Sequence, residues 1–211
     1  SGDFYDVYPH NDLIYFTLCD VSGKGVNAGM VMARAITLFK IYSKNKFKPN
    51  EIHYEMNNDL HQTNPKGVYV TSIVGSYNSK TDIVELSNAG HLPALFKKGR
   101  EFIEYDSSSM PLGVKKADNN KEYKLETIKL EDGRLYCFTD GFSECRNEKG
   151  DEIGIDGVKN LIINYQNTSL KKELSKIIKD IESKSTKGKN FDNVNSDNIL
   201  EDDLTIIGLG K

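Results

Sequence analysis

Strand-like and helix-like runs come in blocks in this 211-residue chain rather than in strict alternation. Residues 4–8 and 13–19 are rich in aromatic and β-branched side chains and flank Pro9-His10-Asn11-Asp12, which is turn chemistry, so they read as a hairpin. Ala28, Val31, Met32, Ala35, Leu38, Phe39 and Tyr42 recur at helical spacing and predict a helix over about 27–42. A second amphipathic helix starts after Pro49, with Ile52, Met56 and Leu60 on its stripe. The period then shortens. Strands are expected over 69–77, 83–86, 94–97, 101–105 and 134–139. Helices follow over 157–165 and 170–182, then a Ser-, Lys-, Asn- and Asp-rich segment, 183–198, that reads as a mobile loop, and a last strand over 204–209. Grouping of this kind argues for an α+β domain of antiparallel sheets with helices packed outside them. No internal repeat appears, and one domain over 1–211 is expected.

Composition narrows the function. With Lys+Arg 28 against Asp+Glu 31 the formal net charge is −3, which lacks the basic footprint of a nucleic-acid binder. No apolar run approaches the roughly 20 residues that cross a bilayer, so no membrane segment is expected within this domain. Ser1-Gly2-Asp3-Phe4-Tyr5-Asp6 carries no secretory signal. Three cysteines, Cys19, Cys137 and Cys145, have no C-x-x-C spacing, which fits a reducing cytoplasm. Cys19 and Cys137 lie in apolar runs and read as small buried hydrophobes.

The placement of aspartates carries the chemistry. The strand over 13–19 ends at Asp20, the strand over 135–139 ends at Asp140, and the last strand starts just after Asp202-Asp203. Counting outward from the first turn, Asp3 falls opposite Asp20. Asp3, Asp20, Asp140 and Asp202 can therefore meet at one sheet edge if the strands run antiparallel to suitable neighbours. Four carboxylates repel one another unless neutralised. Hard divalent cations such as Mg²⁺ and Mn²⁺ resolve that conflict with oxygen ligands. A paired site of this type acidifies water and clamps phosphoryl oxygens, so phosphate-ester hydrolysis follows. Taken singly, an aspartate after a strand is more often a turn former or a helix N-cap. Spacing leaves both readings open.

Competing chemistries fail on residues. A cysteine phosphatase needs C-x₅-R, but Gly25, Ser143 and Asp151 stand six beyond the cysteines. The P-loop pattern, G-x-G-x-x-G and G-x-S-x-G are absent. A kinase-type Asp-x-Gly-x-Gly loop fails because Ser22 stands two after Asp20. His53 and His61 have no i,i+4 partner and read as surface residues on their helix, while His91 lies in a turn where a structural role is expected.

Six motifs then stand in order: Gly2-Asp3-Phe4-Tyr5-Asp6, Asp20-Val21-Ser22-Gly23-Lys24-Gly25, Asn88-Ala89-Gly90-His91, Pro111-Leu112-Gly113, Thr139-Asp140-Gly141 and Asp202-Asp203-Leu204-Thr205. As a set they resemble the PPM-type metal-dependent serine/threonine protein phosphatases, in the bacterial branch of SpoIIE and RsbU. The resemblance implies a two-layer antiparallel β-sandwich flanked by helices, in α-β-β-α order, with two Mn²⁺ or Mg²⁺ ions at one end. By analogy Asp20 bridges both ions, the Val21 carbonyl adds a ligand, Asp140 and Asp202 hold the second ion, and Asp3 acts through bound water. A metal-bridging hydroxide attacks the phosphorus with no covalent intermediate. The implied substrate is a phosphoserine on a protein, of the anti-sigma-factor antagonist kind. Lys24 is a phosphate-proximal candidate, and Asp6 and Asp203 are candidates for supporting the ligands. The branch begins its first motif after an upstream strand, so that strand and a sensory or linker region are expected to precede this chain, and a homodimer is a further expectation. The alternative is a catalytically silent phosphatase-like domain that binds a signalling partner.

Overall fold

The computed structural model describes residues 2–147, 150–165, 168–187 and 203–210. Its elements in chain order begin with β1 (Asp3–His10), β2 (Leu13–Val21), α1 (Val26–Lys44), α2 (Pro49–Thr63), β3 (Val70–Asn78) and β4 (Ile83–Ala89). They continue with β5 (Ala94–Lys98), β6 (Glu101–Tyr105), β7 (Glu126–Lys129), β8 (Arg134–Phe138), α3 (Asp140–Ser143), α4 (Gly154–Tyr165), α5 (Leu170–Lys187) and β9 (Ile206–Gly210). The first hairpin turns through Asn11, whose φ of 54° is a left-handed value that asparagine tolerates. At the start of α2, Pro49 takes the first helical position and the Lys48 backbone N–H donates to Glu51 Oε2 at 2.8 Å.

Two antiparallel sheets result, one five-stranded in the order β1-β2-β3-β4-β7 and one four-stranded in the order β6-β5-β8-β9. Both faces of each central strand are covered, which is why β2 and β3 are apolar with little alternation. On β2, Phe16 and Leu18 enter the layer between the sheets with Ile73, Leu86, Phe96 and Leu135. Tyr15 and Cys19 face the other way and pack with Val31, Phe39 and Met56 of α1 and α2. The outer face of the second sheet buries Tyr136 and Phe138 against Phe142, Leu161, Ile162 and Ile177. The layers run helix, sheet, sheet, helix, as expected.

An ionic contact seats α5. Glu173 is fully buried and accepts hydrogen bonds from Tyr136 Oη at 2.7 Å and from Arg134 Nη1. Arg134 Nη2 also donates to the Thr168 carbonyl at 3.1 Å. Burial pushes the nearby Lys97 ammonium below its ordinary range, with Arg134 adding to the shift and Glu173 opposing it.

Three elements differ from the sequence reading. β7 was not expected, because Glu126-Thr127-Ile128-Lys129 is a strand only through its pairing with β4. Asp140-Gly141 opens a short helix, α3, for which no helical period is visible in the sequence. The segment read as a loop from residue 183 is helical through Lys187, since α5 runs on; 188–198 lies outside the described residues. No helix among the described residues is long and apolar enough to cross a membrane.

Candidate metal centre

The β1–β2 register sets Asp3 directly opposite Asp20, and Asp20 is in turn opposite Thr71 of β3. Strand alternation turns Asp20 to the side of Phe16 and Leu18, toward the second sheet. Asp3 shares that side, and its Oδ2 accepts a hydrogen bond from Thr205 Oγ1 at 3.3 Å. Thr205 leads into β9 and is tied to the end of β8: Thr139 N donates to the Thr205 carbonyl at 3.1 Å, and Thr205 N donates to Thr139 Oγ1 at 3.2 Å. Thr139 Oγ1 donates in turn to the Asp203 carbonyl at 3.4 Å. Asp140 follows Thr139 as the first residue of α3. Asp3 and Asp20 therefore stand on one sheet, and Asp140 with the 203–205 segment stands on the other, at the same end of the sandwich.

Two glycines make the close approaches possible. A Cβ on Gly2 would lie 2.6 Å from Asp20 Oδ1 and 2.3 Å from the Val21 carbonyl oxygen. A Cβ on Gly141 would lie 2.2 Å from the Asp203 carbonyl oxygen. Any larger residue at either position would fill the space beside these oxygens or push the 203–205 segment away.

His91 links the sheets beside this rim. Its Nε2 lies 3.2 Å from the Phe138 carbonyl, which only accepts, so Nε2 carries the proton. Nδ1 is then the acceptor and Thr71 Oγ1 donates to it at 2.9 Å. Burial pushes the imidazole down to about 4, against the opposing effect of the Phe138 carbonyl, so the ring is neutral near pH 7. The expected structural role for His91 is met.

The other predicted residues fall as follows. Asp6 lies on the opposite face of β1 from Asp3 and pairs with Lys40 of α1 at 3.2 Å, so it stands away from the rim. Lys24 is exposed between Gly23 and Gly25, whose φ values of 92° and 81° bend the loop after β2. Asp203 is exposed, and Asp202 lies outside the described residues. Among the described residues no three His, Cys, Asp or Glu side chains gather in a group able to hold an ion. Among the described residues the Gly2 space is bordered by oxygens of the Asp20 carboxylate and the Val21 carbonyl, and that chemistry fits a hard divalent cation.

One expectation is corrected. His53 is not on the surface: it is fully buried, with Nδ1 2.9 Å from Ser87 Oγ and Nε2 3.0 Å from Ser72 Oγ. Cys19 Sγ donates to the same Ser72 Oγ at 3.2 Å. The hydroxyls lie on β3 and β4, distant in sequence, so nothing in the helical window around His53 signals them. Thr71, Thr139 and Thr205 carry no such local signal either, although Thr139 and Thr205 stand inside two of the six motifs.

Residues 10–210 match the family described as Stage II sporulation protein E (SpoIIE). The chain belongs to that family. Phosphoserine phosphatase RsbU of Bacillus subtilis is 26% identical over 153 residues, covering 71% of this chain. The chain spans only 45% of the length of RsbU. The SiaA-PP2C domain of Pseudomonas aeruginosa superposes with a TM-score of 0.80 at 16% identity, covering 100% of this chain and 80% of that one. The PP2C phosphatase domain of SpoIIE from Bacillus subtilis gives 0.76 at 16%, covering 99% and 58%. RsbX, solved in complex with magnesium, gives 0.68 at 16%, covering 98% and 85%. At such identities the superpositions establish the fold, which is the PP2C-type sandwich. The described residues of the six motifs lie toward the end of the sandwich where Asp3 pairs with Asp20.

Proposed function

We propose that this domain is a metal-dependent phosphoprotein phosphatase acting on phosphoserine, with Asp3, Asp20, the Val21 carbonyl, Asp140 and Asp202 holding two divalent cations, Mn²⁺ or Mg²⁺. The observation that carries the reading is the pairing of Asp3 with Asp20 on one sheet while Thr205 of the other sheet hydrogen-bonds Asp3. When bound, such cations neutralise phosphoryl oxygens and make a water nucleophilic near neutral pH. The residues of the chain do the positioning. Asp20 projects from the end of β2 and Asp140 opens α3 just past the end of β8, so the sheets fix the approach of both. Thr205 holds one oxygen of Asp3 in place. Lys24, exposed on its loop, draws the anionic ester toward the rim.

The likeness to phosphoserine phosphatase RsbU supports a phosphoprotein substrate, of the anti-sigma-factor antagonist kind. The test is hydrolysis of an aryl phosphate with Mn²⁺, with Mg²⁺ and after chelation. Turnover that needs metal and drops roughly 100-fold or more in both Asp20→Asn and Asp140→Asn is expected. Retained turnover in folded variants would sink the reading.

A further inference from the structure

Three loops adjoin the acidic rim and differ from the rest of the chain in charge. They comprise residues 22–30, which run into the first turns of α1, 64–70, which lead into β3, and 110–117, and none contains Asp or Glu, although the whole chain is net −3. They are joined by backbone bonds. Ser22 N donates to the Tyr69 carbonyl at 2.9 Å and Tyr69 N to Ser22 Oγ at 2.9 Å. Val70 and Leu112 exchange bonds of 3.0 and 2.7 Å. Asn57 holds the third loop to α2, donating to the Lys115 carbonyl at 2.9 Å and accepting from Gly113 N at 2.9 Å.

The exposed side chains of these loops are of two kinds. Lys24, Lys66, Lys115 and Lys116 are exposed, and none of them is ion-paired among the described residues. Between them stand Val26, Tyr69, Met110 and Val114, exposed by 79, 40, 60 and 48%. Large apolar side chains left in water beside uncompensated cations are a mark of a macromolecular contact surface. The absence of arginine from all three loops, in a chain of net negative charge, disfavours a nucleic acid as occupant.

We propose that this surface docks an acidic protein segment beside the rim, so that carboxylates flanking the phosphoserine rest on the lysines while apolar neighbours cover Tyr69 and Met110. The proposal rests on the phosphatase reading for what the docked segment delivers. Charge complementarity argues for that occupant: an acidic segment is repelled by the rim carboxylates and attracted by the lysines that stand beside them.

Two fluorescein-labelled phosphoserine peptides of one sequence, flanked by Asp/Glu or by Lys/Arg, test it by anisotropy at low and high salt. The wild-type protein is expected to bind the acidic-flanked peptide roughly tenfold more tightly, with the gap closing as salt rises. The combined variant Lys66→Glu, Lys115→Glu, Lys116→Glu, checked for an unchanged unfolding midpoint, is expected to reverse the preference. Equal affinities, a preference unaltered by the charge reversal, or tighter binding of a labelled oligonucleotide would overturn the proposal. Aryl phosphate turnover separates the two ideas. Turnover without flank preference overturns the docking surface alone, and flank preference without turnover supports the surface while overturning the hydrolase.

Discussion

Asp3 and Thr205, 202 positions apart in sequence, are joined by a hydrogen bond of 3.3 Å between the two sheets. Thr205 Oγ1 donates, so one carboxylate oxygen of Asp3 is fixed in place. Removing the hydroxyl with Thr205→Val is expected to weaken Mn²⁺ affinity roughly tenfold, as loss of a supporting hydrogen bond does at metal sites, while Thr205→Ser retains it. Calorimetric titration of the three proteins checks this. Equal affinity in the valine variant would show that Asp3 needs no such support.

His91 spans from Thr71, beside Asp20, to Phe138, two residues before Asp140. His91→Ala strips a partner from each and is expected to lower stability by about 1–3 kcal/mol. His91→Gln, whose amide can both donate and accept, is expected to recover part of it. If His91 sets the spacing of the two carboxylates, the alanine variant also binds Mn²⁺ more weakly while folded. A loss of stability with unaltered affinity would confine His91 to holding the sheets together.

Burial pushes His53 down to about 3, so the folded protein keeps it neutral. In the unfolded chain the same ring takes a proton near pH 6.5. Its contribution to stability is therefore full above about pH 6.5 and erodes as pH falls toward about 3, because only the unfolded state gains the proton. Between pH 7 and pH 5 the wild type is expected to lose about 2 kcal/mol more than His53→Gln. Urea unfolding at the two pH values measures it, and parallel losses would contradict the assignment.

Glu173 is buried against Arg134 and Tyr136. Glu173→Leu leaves a cation without its partner and is expected to cost about 3–5 kcal/mol. Adding Arg134→Met removes the stranded charge, so the double variant is expected to be more stable than the single one. Thermal or urea unfolding gives the comparison; strict additivity of the two losses would show that the pair is not coupled.

Much of this was legible in the sequence because it depends on short windows. Periodicity placed α1, α2, α4 and α5, and the turn at Pro9-His10-Asn11-Asp12 set a hairpin whose register puts Asp3 across from Asp20. Glycine beside aspartate, at Gly2-Asp3 and Asp140-Gly141, is also a local signal, and its reason is the lack of room for a Cβ. What the tertiary structure alone decided is which distant residues meet. The four residues of β7 become a strand only against β4, His53 is buried only because Ser72 and Ser87 stand beneath α2, and Asp6 turns from the rim toward Lys40. The lysines of three separate loops become one surface only after β2, β3 and the 110–117 loop are bonded together. Such pairings are set by packing and by backbone bonds across long loops, and a window of neighbouring residues carries no record of either.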